Sequence, residues 1–197
     1  MTHRYLSVVL LLCLSLLAHF APSVAYAQEA RNEVVSVEPV ARDGKLYLDA
    51  NIDLTLSPEL RTAAEKGVPL YFVAELQIVS SRSWWFDKTV VDTQRTYRVF
   101  YNVLTRQWRV GNNEFALPLA SLDEALSFMR NIRGWAVAET SELDTGVNYD
   151  GRLRLRLDTT RLPRPFQIDA YNSSAWTLAT PWKNFQFEIL DDEQTAS

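Results

Sequence analysis

KLYLDANIDLTL, residues 45–56, alternates apolar and polar side chains from end to end. Successive side chains of a β-strand point to opposite faces, so one face of this segment is wholly apolar and the other is polar. Such a strict period of two predicts a long strand with one face against a core. The apolar face carries Leu46, Leu48, Ala50, Ile52, Leu54 and Leu56.

Shorter runs of the same kind flank this strand and predict a mainly β protein. Turn residues such as those of Arg42–Gly44 separate the runs, which is typical of antiparallel strands. The pattern predicts an antiparallel β-sandwich, or a partly open barrel, of about nine strands with two short helices. The further strands are predicted at Val34–Val37, Leu70–Ser80, Trp84–Val91, Thr93–Val103, Gln107–Gly111, Trp135–Glu139, Tyr149–Asp158 and Phe185–Leu190, with short strands or extended pieces at Phe166–Tyr171 and Ala175–Thr180.

Two segments change from the period of a strand to that of a helix. Ser57 can cap a first helix over Pro58–Lys66, because proline suits the first helical position. Ser121 and Glu124 form a capping box, and apolar residues at helical spacing follow it as far as Ile132. Gly134 is predicted to end this second helix.

The amino terminus has the features of a secretory signal peptide. Arg4 provides a positive start, Leu6–Leu17 is almost wholly apolar, and Ala25–Ala27 forms an Ala-x-Ala site. We therefore expect cleavage after Ala27, a periplasmic location and no stable membrane insertion afterwards. An uncleaved anchor is the alternative. Residues 28–197 are expected to form one β-rich domain that ends in a short, disordered acidic tail.

The histidines and the cysteine all lie in the predicted signal peptide. They are His3, Cys13 and His19, so the mature chain has neither residue type. This excludes histidine-dependent triads, thiol chemistry and the usual zinc ligands. Asp49-x-Asn51-x-Asp53 imitates the start of a calcium loop, but later positions lack its glycine and glutamate. We predict no cofactor, no metal and no enzyme activity.

The charge of the chain argues against polyanionic partners. The formal net charge is −4 at pH 7, and removal of Arg4 with the signal makes it more negative. No nucleic-acid-binding signature is present either. We therefore expect no nucleic-acid partner.

Several longer segments resemble an uncharacterised family of exported proteobacterial proteins, each a single domain of unknown function behind a signal peptide. The resemblance implies a Gram-negative envelope location and a largely β domain, and it carries no activity, cofactor or catalytic residue. Members are often encoded beside a nitrogen-type sensor kinase, which suggests such a two-component kinase as partner. The segments are Gly67–Leu70, Trp84–Asp87, Tyr101–Val110, Leu157–Phe166 and Trp176–Trp182.

Aromatic and arginine residues form the candidate interaction surface. Tryptophan, tyrosine and arginine are enriched at the centres of protein interfaces. We predict one group of four residues: Trp85, Tyr97, Arg98 and Tyr101. A second group is the stripe Arg152, Arg154 and Arg156, for which we favour cross-strand pairing with an acidic neighbour such as the Asp49/Asp53 face or Glu188.

The leading hypothesis is a non-enzymatic periplasmic binding or accessory domain that contacts another envelope protein. One alternative is a glycan-active enzyme that uses carboxylates alone, which needs two acids about 5–9.5 Å apart in a cleft lined by tryptophan. A weaker alternative is a carrier of an apolar ligand inside a closed barrel.

Overall fold

The computed structural model describes residues 32–80, 88–112 and 115–190, and these ranges contain nine strands and three α-helices. The predicted signal peptide, the predicted acidic tail, Trp84 and Trp85 lie outside the described residues. Within the described ranges no helix is both long and apolar enough to cross a membrane.

The strands form two separate antiparallel sheets. The smaller sheet has the order β1 (Glu33–Arg42), β2 (Lys45–Asp53), β7 (Asn131–Glu139). The larger has the order β6 (Ala116–Leu119), β5 (Gln107–Gly111), β4 (Lys88–Asn102), β3 (Leu70–Ser80), β8 (Asn148–Leu157), β9 (Lys183–Glu188). The prediction of a mainly β, antiparallel fold is confirmed. Because the strands form two separate open sheets, the fold is a sandwich and not a partly open barrel.

One hydrophobic core lies between the two sheets, and the opening stretch of sequence supplies much of it. Every apolar side chain of residues 45–56 is buried, while Asp53 and Thr55 are exposed. Strand β3 is a central strand of the larger sheet and pairs along nearly its whole length with β4 on one side and β8 on the other. Its fully buried side chains are Leu70, Phe72, Ala74, Leu76 and Ile78.

Two of the helices begin where their capping residues predict. Helix α1 (Pro58–Glu65) starts after Ser57, whose hydroxyl accepts a hydrogen bond from the Leu60 amide at 3.1 Å. Helix α2 (Leu122–Arg130) starts after Ser121, whose hydroxyl accepts from the Glu124 amide at 3.1 Å. Both caps satisfy amide groups that the first helical turn leaves without a partner.

The predicted end of α2 is wrong. The helix ends at Arg130, and Ile132 is buried as part of β7. Gly134 lies inside that strand in the left-handed region, with a φ of 56°, opposite an irregularity in β2. Its amide donates to the Asp49 carboxylate at 2.7 Å. The glycine therefore marks a bulge in a strand and not a helix end.

Other differences involve proline and strand length. Phe166–Tyr171 belongs to a third helix, α3 (Arg164–Asn172), where an extended piece was expected. Two predicted strands on either side of Asp92 are one strand, β4, of 15 residues. Strand β6 contains Pro118 and lies at the edge of its sheet, which is where proline is tolerated, and its four residues were too few to give a periodic signal.

Candidate functional site

The larger sheet has one face against the core and one face that no other sheet covers among the described residues. We name the uncovered side the outer face. Residues opposite each other in a ladder share a face, so its members follow from the register. They include Tyr71, Val73, Glu75 and Gln77 of β3, Asp92, Gln94, Thr96, Arg98 and Phe100 of β4, Arg109 of β5, and Arg152, Arg154 and Arg156 of β8.

The arginine stripe of β8 lies on the outer face and pairs with side chains of β3. Arg154 donates through Nε to Glu75 Oε2 at 2.5 Å, and Arg156 donates through Nε to Glu75 Oε1 at 2.7 Å. Arg152 donates to the Gln77 side-chain oxygen. The favoured cross-strand pairing is found, but the expected acidic partners are wrong. The stripe pairs with β3, whereas Asp49 and Asp53 lie in the smaller sheet. Glu188 lies opposite Asn148 and not opposite an arginine of the stripe.

Glu75 is held as a carboxylate by this arrangement. Partial burial acts to raise its pKa, but the hydrogen bonds and positive charges of Arg156 and Arg154 outweigh that effect. The pKa of Glu75 is therefore lowered from its ordinary value of 4.5. One carboxylate thus bridges two neighbouring arginines on the outer face.

The lowered pKa of Glu75 predicts a pH-dependent contribution to stability. A depressed pKa stabilises the folded state above the ordinary pKa, and this contribution is lost as the pH falls through the folded value. We expect Glu75→Gln to lower the free energy of unfolding by about 1–2 kcal/mol at pH 7, since charge-assisted hydrogen bonds are weakened. The difference from wild type should shrink as the pH falls below about 4.5.

Urea denaturation at pH 7 and pH 3 measures this effect. Glu38→Gln is the matched control, because Glu38 is an exposed carboxylate in a strand and makes no ion pair with any described residue. A stability difference for Glu75→Gln that stays constant between the two pH values would contradict the prediction.

Trp182 lies over the arginine stripe, just before β9. The Arg152 and Arg154 guanidinium carbons are 4.7 Å and 4.4 Å from the centre of its ring. These are cation–π distances. Trp182 also borders a cleft of about 680 Å³ that Glu75 and Asp92 line. It was missed at the sequence level because residues 177–182 show no periodic pattern.

A second group of arginines surrounds two aromatic rings at the other end of the outer face. We name it the Arg98 group, and it consists of Arg98, Arg109 and Arg161. The Arg98 guanidinium lies 4.2 Å from the Phe100 ring centre and 5.9 Å from that of Tyr71. Arg161 lies 4.4 Å over the same Tyr71 ring, and Arg109 is directly opposite Phe100 in the ladder.

The Arg98 group has unused hydrogen-bonding capacity. The Nε atoms of Arg98 and Arg109 are buried and have no hydrogen-bond partner. None of its three guanidinium groups forms an ion pair with a residue of the described ranges. Arg109 and Arg161 join Arg98 from two other elements of the fold.

The predicted group of Trp85, Tyr97, Arg98 and Tyr101 does not form one surface. Trp85 lies outside the described residues. Tyr97 is 3% exposed and faces the core, and burial raises its pKa against the opposing charge of Arg95. Tyr101 shares that inner face and packs against Trp108, with ring centres 5.3 Å apart. Of the three members that the structure describes, Arg98 alone reaches the outer face, because alternate residues of a strand point to opposite sides.

Strand β4 is paired along only part of its length on the side of β5. The ladder with β5 covers Arg98–Asn102, and among the described residues no strand pairs there with residues 88–97. A cleft of about 380 Å³ lies at this step, where Gly111 ends β5. Arg95 and Arg98 line it on the β4 side and Phe128 of α2 on the other. We name residues 88–97 the open edge of β4.

The described residues offer little that resembles a catalytic or metal site. In these ranges no group of three or more acidic side chains is placed to hold a metal ion. Asp49 accepts from the Gly134 amide and Asn51 donates to the Ser36 hydroxyl, so both stabilise the smaller sheet. Glu75 and Asp92 are diagonal neighbours across β3 and β4 and line the cleft beside Trp182.

Comparison with known proteins gives one match. A family model described as a domain of unknown function, DUF4390, matches residues 29–186. No curated protein and no solved structure gives a significant match to the chain.

Proposed function

Because the chain belongs to the DUF4390 family of domains of unknown function, we propose its function from the surface: it binds another protein of the bacterial envelope and is not an enzyme. The binding surface is the outer face of the larger sheet. The protein is exported to the periplasm after cleavage of its signal peptide following Ala27. Its partner is the periplasmic part of a two-component sensor kinase, as the family resemblance suggests.

The observation that supports this proposal most is the stacking of Arg152 and Arg154 on Trp182. Trp108, Trp135 and Trp176 are buried in the core, whereas Trp182 is half-buried on the outer face. A tryptophan in contact with two arginines has the composition of an interface hot spot. The arginines hold the ring in place, which reduces the entropy lost on binding.

The carboxylate-only enzyme is less well supported. Glu75 and Asp92 share a cleft with Trp182, which is the arrangement that a glycan hydrolase requires in outline. Such an enzyme needs one carboxylic acid with a raised pKa to protonate the leaving group. The pKa of Glu75 is lowered instead, and both of its oxygens accept from arginine. Its geometry therefore favours a structural role.

The carrier of an apolar ligand also has little support. Two clefts of this protein, of about 830 Å³ and 680 Å³, lie on the larger sheet. They are lined mainly by polar side chains, including Gln77, Asp150 and Arg154. Sites for apolar ligands are concave and mostly apolar. The core between the two sheets is instead filled by buried side chains.

Crosslinking in intact cells followed by purification of the tagged protein tests the proposal. The captured envelope protein is identified by mass spectrometry, produced separately and titrated against three forms of this chain. We expect Trp182→Ala to weaken binding by about 30-fold or more, which corresponds to the loss of a hot-spot side chain. Tyr171→Ala is the control, since Tyr171 is 91% exposed and belongs to α3 rather than to the larger sheet.

Three results would argue against the proposed function. One is the absence of any crosslinked envelope protein, and another is equal affinity of wild type and Trp182→Ala with circular dichroism showing both folded. The third is recovery of the mature protein from the cytoplasm in cell fractionation. Sequencing of the amino terminus of the mature protein checks the cleavage after Ala27.

A further inference from the structure

We infer that the Arg98 group is a second contact site on the outer face and receives an acidic segment of the partner protein, through aspartate or glutamate side chains. This inference rests on the proposed function and names the chemistry of the partner. It concerns Arg98, Arg109 and Arg161, which come from three different elements of the fold.

The two arginine groups of the outer face differ in how their charge is balanced. In the β8 stripe, Glu75 binds both Arg154 and Arg156, and Asp158 lies 3.9 Å from Arg156. The Arg98 group has no such acid among the described residues. A cluster of three positive charges without a counter-charge favours a negatively charged ligand at this position.

The guanidinium groups are also held ready for a carboxylate. Arg98 lies over Phe100, and Arg161 lies over Tyr71, so contact with the rings restricts the movement of both guanidinium groups. A guanidinium that stacks on a ring keeps its N–H groups directed outward in that plane. The lone Nε atoms of Arg98 and Arg109 lack the hydrogen bond that they would make in water. Because these Nε atoms are buried, a carboxylate of the partner would bind the Nη groups of the arginines.

The overall charge of the chain favours a short acidic segment over a large polyanion. A nucleic acid or an anionic membrane presents many negative charges at once, and a chain of net charge −4 is repelled by such a surface. A few carboxylates on an extended segment interact with the Arg98 group alone. Because salt screens exposed charges beyond about 10 Å, the more distant acidic residues of this chain do not repel the carboxylates of that segment.

The position of the Arg98 group suits a single partner that also contacts Trp182. Tyr71 and Gln77 lie on the same face of β3 and are six residues apart, which is about 20 Å at 3.3 Å per residue. The Arg98 group surrounds Tyr71, and Arg152 beside Trp182 pairs with Gln77. Both sites fit within one interface of standard size.

A peptide titration followed by NMR tests the inference. The probe is an octapeptide of alternating glutamate and threonine, compared with the same peptide carrying glutamine, at constant ionic strength. We expect the glutamate peptide to shift the Nε–Hε signals of Arg98 and Arg109 and the glutamine peptide to leave them unchanged. Inorganic phosphate and vesicles with anionic lipid serve as the competing ligand classes.

Variants locate the binding. We expect Arg161→Ala and Arg98→Met to weaken peptide binding by about tenfold each, because each removes a charge-assisted hydrogen bond while methionine keeps the packing of Arg98. Arg42→Ala is the matched control, since Arg42 also lies over a tyrosine ring, 4.5 Å from that of Tyr47, but in the smaller sheet. Arg42→Ala should bind the peptide like wild type.

The inference is overturned if the glutamate peptide does not bind, if Arg42→Ala weakens it as much as Arg161→Ala does, or if only phosphate or the vesicles shift the two signals. The proposed function fails separately. If Trp182→Ala abolishes binding of the captured envelope protein but Arg161→Ala does not, the interface stands and the acidic contact does not. If the glutamate peptide binds but no envelope protein is captured, the acidic binding site stands and the proposed function does not.

Discussion

Replacing Phe72 with alanine is expected to lower the free energy of unfolding by about 3–5 kcal/mol. Phe72 is fully buried in β3, between Tyr97 of β4 and Leu157 of β8. Removal of the ring loses its apolar burial and leaves a cavity, and the two neighbouring strands hold the surrounding backbone in place. A domain of this kind is stable by only about 5–15 kcal/mol, so the change removes a large share.

Urea denaturation monitored by circular dichroism measures the loss. Phe115→Ala is the matched control, because Phe115 is 68% exposed, and a change within about 0.5 kcal/mol is expected for it. Equal denaturation midpoints for Phe72→Ala and Phe115→Ala would show that β3 does not form the centre of the core.

Trp176→Ala is the second substitution for which we expect a loss of about 3–5 kcal/mol. Trp176 is 7% exposed, and its ring centre is 5.4 Å from that of Phe166 in α3. The preceding residue, Ala175, accepts a hydrogen bond at 2.6 Å from the Ser57 hydroxyl, which also caps α1. The loss of this ring therefore weakens the attachment of both α3 and the start of α1.

Comparison with Trp182→Ala distinguishes a core tryptophan from an interface tryptophan. Thermal unfolding should be shifted strongly by Trp176→Ala and only slightly by Trp182→Ala, whereas affinity for the captured envelope protein should show the opposite order. Hydrogen exchange of the α3 amides should rise in Trp176→Ala. If both variants unfold at the wild-type temperature, the buried role of Trp176 is wrong.

Much of the fold could be predicted because many of its strands and helices are indicated by short, local sequence patterns. Strands β2 and β3 and the starts of α1 and α2 follow from alternation and from capping residues, which act within a few residues of chain. Helix α3 could not be predicted in this way. Pro163 and Pro165 indicate a break in a strand, and they equally suit the first turn of a helix. Packing of Phe166 on Trp176 decides between the two.

The candidate site depended more on contacts between distant segments. The arginine stripe was found because it lies within one strand, but Glu75 is about 80 residues away in sequence, and its role depends on the pairing of β3 with β8. Trp182 and Arg161 lie outside the strands and meet Arg152 and Tyr71 only in the folded chain. The error in grouping Arg98 with Tyr97 and Tyr101 was avoidable, since strand alternation alone separates them.

The open edge of β4 bears on how copies of this chain behave in a crowded compartment. An unpaired strand edge is a template for a second copy, and natural proteins commonly guard such edges with positive charge. Lys88 is exposed at one end of the open edge, and Arg95 and Arg98 border the cleft at the other. Two identical edges brought together would set these cations against each other. Arg98, which belongs to the proposed contact site, thus also adds to the positive charge that guards this edge against pairing with a second copy.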